Sequence, residues 1–277
     1  MTFGERLKSL RKARKLSVHA LAHNAEMSAA YISCLENEIQ SNPSMQVIIK
    51  LADALQTTLS YLCLGSTGLE EGIELKNGIF ITFEGVDGAG KTTQAQRLAT
   101  TLGPDVVLTR ELGGTPVSER IRDLFLASDD LTALTELLLV TAARAQHAEK
   151  LISPALAEKQ IVICDRFIHS TIAYQGYRGG IDLDLIHQLN RVATGGLTPD
   201  ITFVLDLPPE IGLQRQQHQD RLDKEPLGLH NKIREGYLSA VEEDPIRVKL
   251  IDATQSPDAV HNAILTECQN IFPSINL

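Results

Sequence analysis

From Leu7 to Leu55 the apolar positions repeat with a helical period. Leu7 and Leu10, Ile32 and Leu35, then Val47, Ile48, Leu51 and Leu55 fall three or four residues apart, with Leu16 and Leu21 between them. That spacing predicts a run of short amphipathic helices. Ser17, Ser28 and Ser44 stand where N-caps belong, since a serine oxygen accepts from the unpaired N–H groups of a first turn. The pattern breaks at the glycine-rich stretch from Gly65 to Gly72. Beyond it, short apolar runs alternate with helical stretches: Ile79–Phe83, Val106–Thr109, Ile161–Cys164, Ile201–Leu205 and Val248–Ile251. Alternation of this kind predicts an α/β domain, a parallel sheet covered by helices on both faces. The expected organisation is a small all-α domain over residues 1–66, a linker over 67–77 and the α/β domain over 78–277. Ligands of such sheets bind beyond the carboxyl ends of the strands. Asp87, Arg110, Asp165 and Thr254 all fall just past a predicted strand end.

At 277 residues the chain has room for one or two domains. Hydrophobic residues make up 43% and charged residues 22%, the balance of a soluble globular protein. With no Trp and only 4% aromatic residues, the cores are expected to be aliphatic. The N-terminus is charged at Glu5, Arg6 and Lys8, and no apolar run is long enough to span a bilayer. Neither a signal peptide nor a membrane segment is predicted, and a cytoplasmic location is expected. Cys34, Cys63, Cys164 and Cys268 are scattered without C-x-x-C spacing, which predicts reduced thiols and neither zinc nor a disulfide framework. The net charge of −9 is unevenly spread. Residues 1–66 carry seven Lys/Arg against five Asp/Glu, and residues 67–277 carry 19 against 30. Arg11, Lys12, Arg14 and Lys15 crowd into five positions. The two parts of the chain are therefore expected to meet different partners.

The strongest chemical signal follows the first predicted strand. Gly85-Val86-Asp87-Gly88-Ala89-Gly90-Lys91-Thr92 matches G-x-x-x-x-G-K-T, and a helix-compatible stretch begins directly after it. The order strand, glycine loop, helix is that of a phosphate-binding loop. Its backbone N–H groups curl around phosphate oxygens, and the helix N-terminus favours the anion. Lys91 then reaches the β- and γ-phosphates, and the Thr92 hydroxyl ligates Mg²⁺. Residues 85–93, Thr93 included, form the candidate ATP site. Asp165-Arg166 follows another apolar run. A carboxylate at a strand end beside the loop suits Mg²⁺ or its water shell, and the adjacent guanidinium suits the phosphate being transferred.

Seven segments of residues 78–277 resemble, in order, the thymidylate kinases, P-loop enzymes that phosphorylate dTMP with ATP. They are FEGVDGAGKTT at 83–93, TRELGGTPVSERIR at 109–122, AARAQH at 142–147, DRFIHSTIAYQG at 165–176, TPDITFVLDLPPEIGLQR at 198–215, HNKIREGYL at 230–238 and IDATQS at 251–256. The resemblance implies a P-loop NTPase-type sheet, ATP and Mg²⁺ as donor and cofactor, and dTMP or a related pyrimidine deoxynucleotide as acceptor. It gives Asp87 the acceptor sugar's 3′-hydroxyl, Tyr174 with Gln175 the 2′ side of the sugar, and Arg110, Arg122 and Arg166 the phosphates. Arg144 and Thr171 fall to the base, and Thr254 to the adenine.

The chain departs from the family's pattern at three places. Leu112 replaces the proline of R-E-P-G-G-T. Val140 stands four residues before Arg144, where the family stacks an aromatic ring on thymine. The base pocket is thus expected to lack an aromatic platform, a loss of about 1–3 kcal/mol. The phosphate loop carries Gly88-Ala89 without an arginine, so the resemblance assigns the catalytic arginines to a lid. The lid keeps Arg215 and Arg221 but is otherwise poor in arginine. Since an arginine finger is worth about 10³–10⁵ in rate, a slow enzyme is expected.

Residues 4–64 resemble the phage-repressor type of helix-turn-helix domain, through GERLKSLRKARKLS at 4–17, ALAHNAEMSAAYISCLENE at 20–38 and NPSMQVIIKLADAL at 42–55. The resemblance places a second helix from near Ser28 to about Asn37 against a DNA major groove. Arg11, Lys12, Ser28 and Ser33 are the candidate DNA contacts. Ala29, Ala30 and Cys34 are poor readers of base edges, Val18 replaces the usual glutamine, and Glu36 and Glu38 bring negative charge nearby. The Arg11–Lys15 cluster is the expected phosphate contact. The whole chain thus reads as a dTMP kinase with a fused DNA-binding module, expected by resemblance to be a homodimer. The alternative is a transcriptional regulator whose kinase-like domain senses nucleotides.

Overall fold

The structure, a computed structural model, describes residues 2–37, 43, 45–55, 78–128, 130–216, 222 and 224–272. It divides into two compact units, Met1–Gly72 and Ile73–Leu277. The linker expected over 67–77, Ser44 and Cys63 lie outside the described residues.

In the first unit, α1 (Phe3–Ala13), α2 (Val18–Asn24), α3 (Ala29–Glu36) and α4 (Met45–Ala54) are all helical. Thr2 and Glu5 form a capping box on α1. Ser17 caps α2 by accepting from the Ala20 N–H at 3.0 Å, and Ser28 caps α3 by accepting from Tyr31 at 3.2 Å. Leu7, Leu21, Ile32, Leu35, Leu51 and Leu55 meet in one core, the residues picked out by the helical period. The expected phosphate cluster needs correction at Arg11. Its side chain is buried, and its Nε and Nη2 reach the two Glu36 oxygens at 2.5 and 2.8 Å, while Nη1 donates to the Leu16 carbonyl. This pair ties α1 to α3 and neutralises Glu36, so Arg11 is a structural residue. Lys12 and Ser33 are exposed, and the Ser28 oxygen serves as the α3 cap.

The second unit is built on a five-stranded parallel sheet in the order β2-β3-β1-β4-β5. The strands are β1 (Ile79–Glu84), β2 (Val106–Arg110), β3 (Ile161–Asp165), β4 (Ile201–Asp206) and β5 (Val248–Asp252). Each runs one residue beyond its apolar run and ends on a charged residue. Arg110 and Asp165 thus belong to their strands and face each other in register. The helices are α5 (Lys91–Leu102), α6 (Pro116–Ala127), α7 (Ala133–His147), α8 (Ser153–Ala157), α9 (Ile168–Thr171), α10 (Leu183–Thr194), α11 (Pro209–Arg215), α12 (Leu227–Glu243) and α13 (Pro257–Ile271). A π-helical turn joins α7 to α8, and a π-helical segment, Ile172–Arg178, continues α9. β1 is buried along its whole length. The core is not purely aliphatic: Phe80, Phe83, Phe167 and Phe203 are fully buried, and the Phe80 and Phe167 rings meet edge to face at 4.9 Å. These four rings lie on the central strands and the turn after β3. Strand order reverses direction at β1, which opens a crevice at the carboxyl ends of β1 and β3. No helix among the described residues is long and apolar enough to cross a membrane.

Candidate active site

β1 delivers the chain into the loop Gly85–Gly90, which enters α5 at Lys91. Gly88 and Gly90 adopt left-handed φ values of +77° and +92°, the conformation that turns successive N–H groups to one side. The Lys91 ammonium is buried and donates to the Val86 carbonyl at 2.8 Å. Burial first, and the Arg166 charge second, lower its pKa to about 8, against the pull of Asp87, Asp165 and Glu84. Asp87 lies 3.8 Å from this ammonium, shared with Arg166, and an arriving phosphate oxygen would add counter-charge.

Thr92 Oγ1 donates to Asp165 Oδ2 at 2.5 Å, which joins the start of α5 to the end of β3. Asp165 Oδ1 is buried without a hydrogen-bond partner. A hydroxyl oxygen beside an orphaned carboxylate oxygen is the hard donor set that Mg²⁺ or its water shell requires. These residues therefore fit the metal that the phosphate loop implies. Among the described residues no cluster of three or more His, Cys, Asp or Glu could hold a metal ion. The remaining ligands of a Mg²⁺ ion here would have to be water and phosphate oxygens.

Arg166 has a left-handed φ of +73°, an uncommon conformation for a residue with a Cβ. Its N–H donates to the Phe83 carbonyl at 2.8 Å, which holds that turn against β1. Its guanidinium is then aimed at the phosphate loop. It pairs with Asp87 and donates to the Tyr237 hydroxyl at 2.9 Å. Tyr174 donates to the other Asp87 oxygen at 2.5 Å. Burial alone would raise the Asp87 pKa, but Arg166, Lys91 and Tyr174 together hold it well below the usual carboxylate range. Asp87 is thus a fixed anion. Burial raises the pKa of both Tyr174 and Tyr237, which keeps their hydroxyls protonated.

Two cavities share this junction. The first is a cleft lined by Lys91, Thr92, Arg110, Asp165 and Arg215. The second is a pocket lined by Val140, Arg144, Thr171, Tyr174 and Gln175. Asp87, Glu111, Arg122 and Arg166 line both. The geometry is that of a cationic cleft opening into a mixed polar and apolar pocket, with Asp87 and Arg166 at the boundary. Arg110 donates to Glu119 at 3.0 Å, and Arg122 donates to the Leu112 carbonyl at 3.1 Å.

In the pocket, Arg144 is 1% exposed and is held by four hydrogen bonds and an ion pair to Glu111. Its donors reach Glu111 and the Phe167 carbonyl at 2.8 Å, and Thr171 and Asn190 at 2.6 Å. The Thr171 oxygen accepts from Arg144, which leaves its own hydroxyl proton to aim elsewhere. Gln175 donates to Glu136 at 3.3 Å, and Arg178 bridges Glu136 to Glu225. Val140 lines this pocket, as does Phe125, an aromatic residue given no role by the sequence. α6 packs on α7 and brings that ring into the cavity lined by Val140.

Arg215 approaches the Gly88 and Ala253 carbonyls at 3.5 and 3.4 Å, at the edge of the cleft. Arg221 lies outside the described residues. Thr254 closes a turn by donating to Asp252 at 2.6 Å and lines neither cavity.

A family model described as thymidylate kinase matches residues 83–264. The chain belongs to the thymidylate kinase family. A thymidylate kinase of Latilactobacillus sakei is 46% identical over 214 residues, which span 72% of this chain and 97% of that protein. One from Synechococcus sp. strain JA-3-3Ab is 50% identical over 65% of this chain and 89% of its own length. The crystal structure of thymidylate kinase from Ehrlichia chaffeensis superposes with a TM-score of 0.59 at 40% identity, covering 69% of this chain and 99% of that one. A helix-turn-helix family model matches residues 7–62, ahead of the thymidylate kinase unit.

Several residues that organise this thymidylate kinase site carried no role in the sequence reading. Glu84, fully buried at the end of β1, accepts from the N–H groups of Phe167 and Ser170 and from the Ser170 hydroxyl at 2.8, 3.2 and 2.6 Å. It fixes the turn that aims Arg166. Tyr237 and Asn190 do the same for Arg166 and Arg144 from α12 and α10. Their signal was faint: Glu84 and Tyr237 lie within matched segments, and Asn190 lies in none.

Proposed function

We propose that the protein transfers the γ-phosphoryl group of ATP to the 5′-phosphate of dTMP, giving dTDP and ADP. The observation that carries this reading is the shared boundary of the two cavities, with Asp87 and Arg166 where donor and acceptor must meet. Lys91 and the N–H groups of the loop hold the donor phosphates in the cleft. Arg110 and Arg122 hold the acceptor phosphate. Arg166 sits between them, where charge spreads over the transferring phosphoryl group, and its preset geometry costs no reorganisation during the step. Mg²⁺, when bound, neutralises donor phosphate charge, and Thr92 and Asp165 are the residues that would hold it or its water shell. Asp87 and Tyr174 line the sugar side. Arg144 and Thr171 lie at the base edge, where Arg144 holds Thr171 by donating to its oxygen and the Thr171 hydroxyl proton is free to donate to a base carbonyl. Arg215 and Arg221 belong to the lid.

Coupled ADP release across a panel of deoxynucleoside monophosphates tests the reading. Turnover is expected with dTMP. Discrimination against dUMP is expected to be modest, because one methyl group is worth only about 10–200-fold. Binding of dTMP and ATP without ADP release would instead identify a nucleotide sensor.

The helical unit is read as a DNA-docking module, with Lys12 and the α3 surface carrying Ser33 toward the duplex. Retention of genomic fragments at low salt, falling steeply as salt rises, is the expected signature. A homodimer is proposed as the assembly and the cytoplasm as the location. Exposed Leu134 and Leu138, one turn apart on α7, are a reason to measure mass in solution.

A further inference from the structure

We propose that Phe125 is the base-stacking platform of this enzyme, so that the aromatic ring facing the acceptor base comes from α6 and not from α7. The proposal rests on reading the pocket as the acceptor-base site. Among the described residues two aromatic side chains line that pocket, Phe125 and Tyr174. Tyr174 is committed elsewhere: its hydroxyl is bound to Asp87, and its ring lies 5.3 Å from the Arg166 guanidinium. It belongs to the phosphate and sugar side. Phe125 shares an apolar cluster with Val140 and Leu222, and Leu112 packs against it. Val140 and Arg144 are one turn apart on α7, so they present one face to the cavity. The wall next to Arg144 is therefore apolar, and at position 140 it has no flat surface. Phe125 supplies that surface on the neighbouring helix. A planar heterocycle whose edge meets the Thr171 hydroxyl beside Arg144 needs a partner for its face, and a ring gains more there than a branched aliphatic chain.

The test measures equilibrium binding of dTMP and of 2-deoxyribose 5-phosphate to the full chain, beside KM values for dTMP and ATP. Phe125→Leu should weaken dTMP binding about 5- to 100-fold, the range of base–aromatic stacking. Its affinity for 2-deoxyribose 5-phosphate and its KM for ATP should stay within about twofold. A residue that only fills the core would move both ligands together, and that result overturns the proposal. Val140→Phe in the Phe125→Leu background should recover most of the lost dTMP affinity, whereas Val140→Phe alone should gain less than about threefold. A strong gain from Val140→Phe alone would show that the wild-type pocket lacks a platform. If the wild type binds dTMP and Phe125→Leu binds it equally well, the stacking role falls and the kinase reading stands. If the wild type binds no pyrimidine nucleotide, both fall together.

Discussion

The backbones of Gly88 and Gly212 meet so closely that a Cβ on Gly88 would lie 2.2 Å from the Gly212 carbonyl oxygen. A Cβ on Gly212 would lie 2.2 Å from the Asp87 carbonyl oxygen in return. The phosphate loop and α11 thus form one joint, three residues ahead of Arg215. Gly212→Ala must push Asp87 and Gly88 away from their positions. Displacements of about 1 Å in a positioned site cost about 10²-fold. We expect kcat/KM for dTMP to fall by about that factor. Gly228→Ala is the control, because nothing lies within 4 Å of its Cβ, and it should keep full activity. Equal activity in the two variants would show that the joint has no bearing on the loop.

Lys91 couples function to a stability cost. The unfolded chain keeps the lysine proton up to about pH 10.5, whereas the nucleotide-free folded protein releases it near a pKa of about 8. Between those values the unfolded state binds more protons, so stability rises with pH there. Below pH 8 the full cost of the buried cation remains. Lys91→Met should therefore melt at a higher temperature than the wild type at pH 7. That advantage should shrink as the pH passes from 8 through 10.5. Phosphoryl transfer should drop by about 10²–10³-fold or more at every pH, since a preset charge donor is removed. A melting advantage that does not change with pH would assign it to packing alone, and turnover within tenfold of wild type would remove Lys91 from the phosphate site.

Asp165 offers one oxygen to Thr92 and leaves the other buried and unpaired. Asp165→Asn keeps the shape and removes the charge. The Mg²⁺ concentration for half-maximal rate should rise by about 10–100-fold, the usual cost of losing a group that holds or orients a metal. Titration of Mg²⁺ at saturating ATP checks this. An unchanged metal profile with a lowered rate would make Asp165 only a partner of Thr92.

The fold was largely legible because each strand is a short apolar run in a sheet buried on both faces. The phosphate loop was legible because its spacing is itself the chemistry. What the sequence hid is pairing across long separations. Glu84 meets Ser170 at 86 residues, Arg166 meets Tyr237 at 71, and Arg144 meets Asn190 at 46. Glu84, Ser170, Tyr237 and Asn190 each read alone as an ordinary polar residue. Phe125 was hidden differently. An apolar residue on α6 has the same helical period whether it fills a core or lines a cavity. Only the packing of α6 on α7 separates the two cases.

Arg11 was hidden by its company, because it stands among Lys12, Arg14 and Lys15 and reads as one more surface cation. Its bidentate bond to Glu36, 25 residues away, makes it part of the helical unit's frame. Removing one partner of a buried pair strands the other charge and typically costs about 3–5 kcal/mol. Arg11→Ala should therefore lower the melting temperature of residues 1–66 sharply and weaken any DNA binding only through loss of fold. Lys12→Ala should leave the melting temperature in place and weaken all duplexes about equally, reducing the salt slope by about one. Arg11→Met with Glu36→Leu replaces the pair by apolar side chains and should recover stability, since such swaps are often neutral. If the double variant melts like the wild type and still retains DNA, Arg11 holds the fold and touches no phosphate. If it melts normally but loses DNA with a reduced salt slope, Arg11 contacts the duplex after all, and the ion pair must open for it to do so.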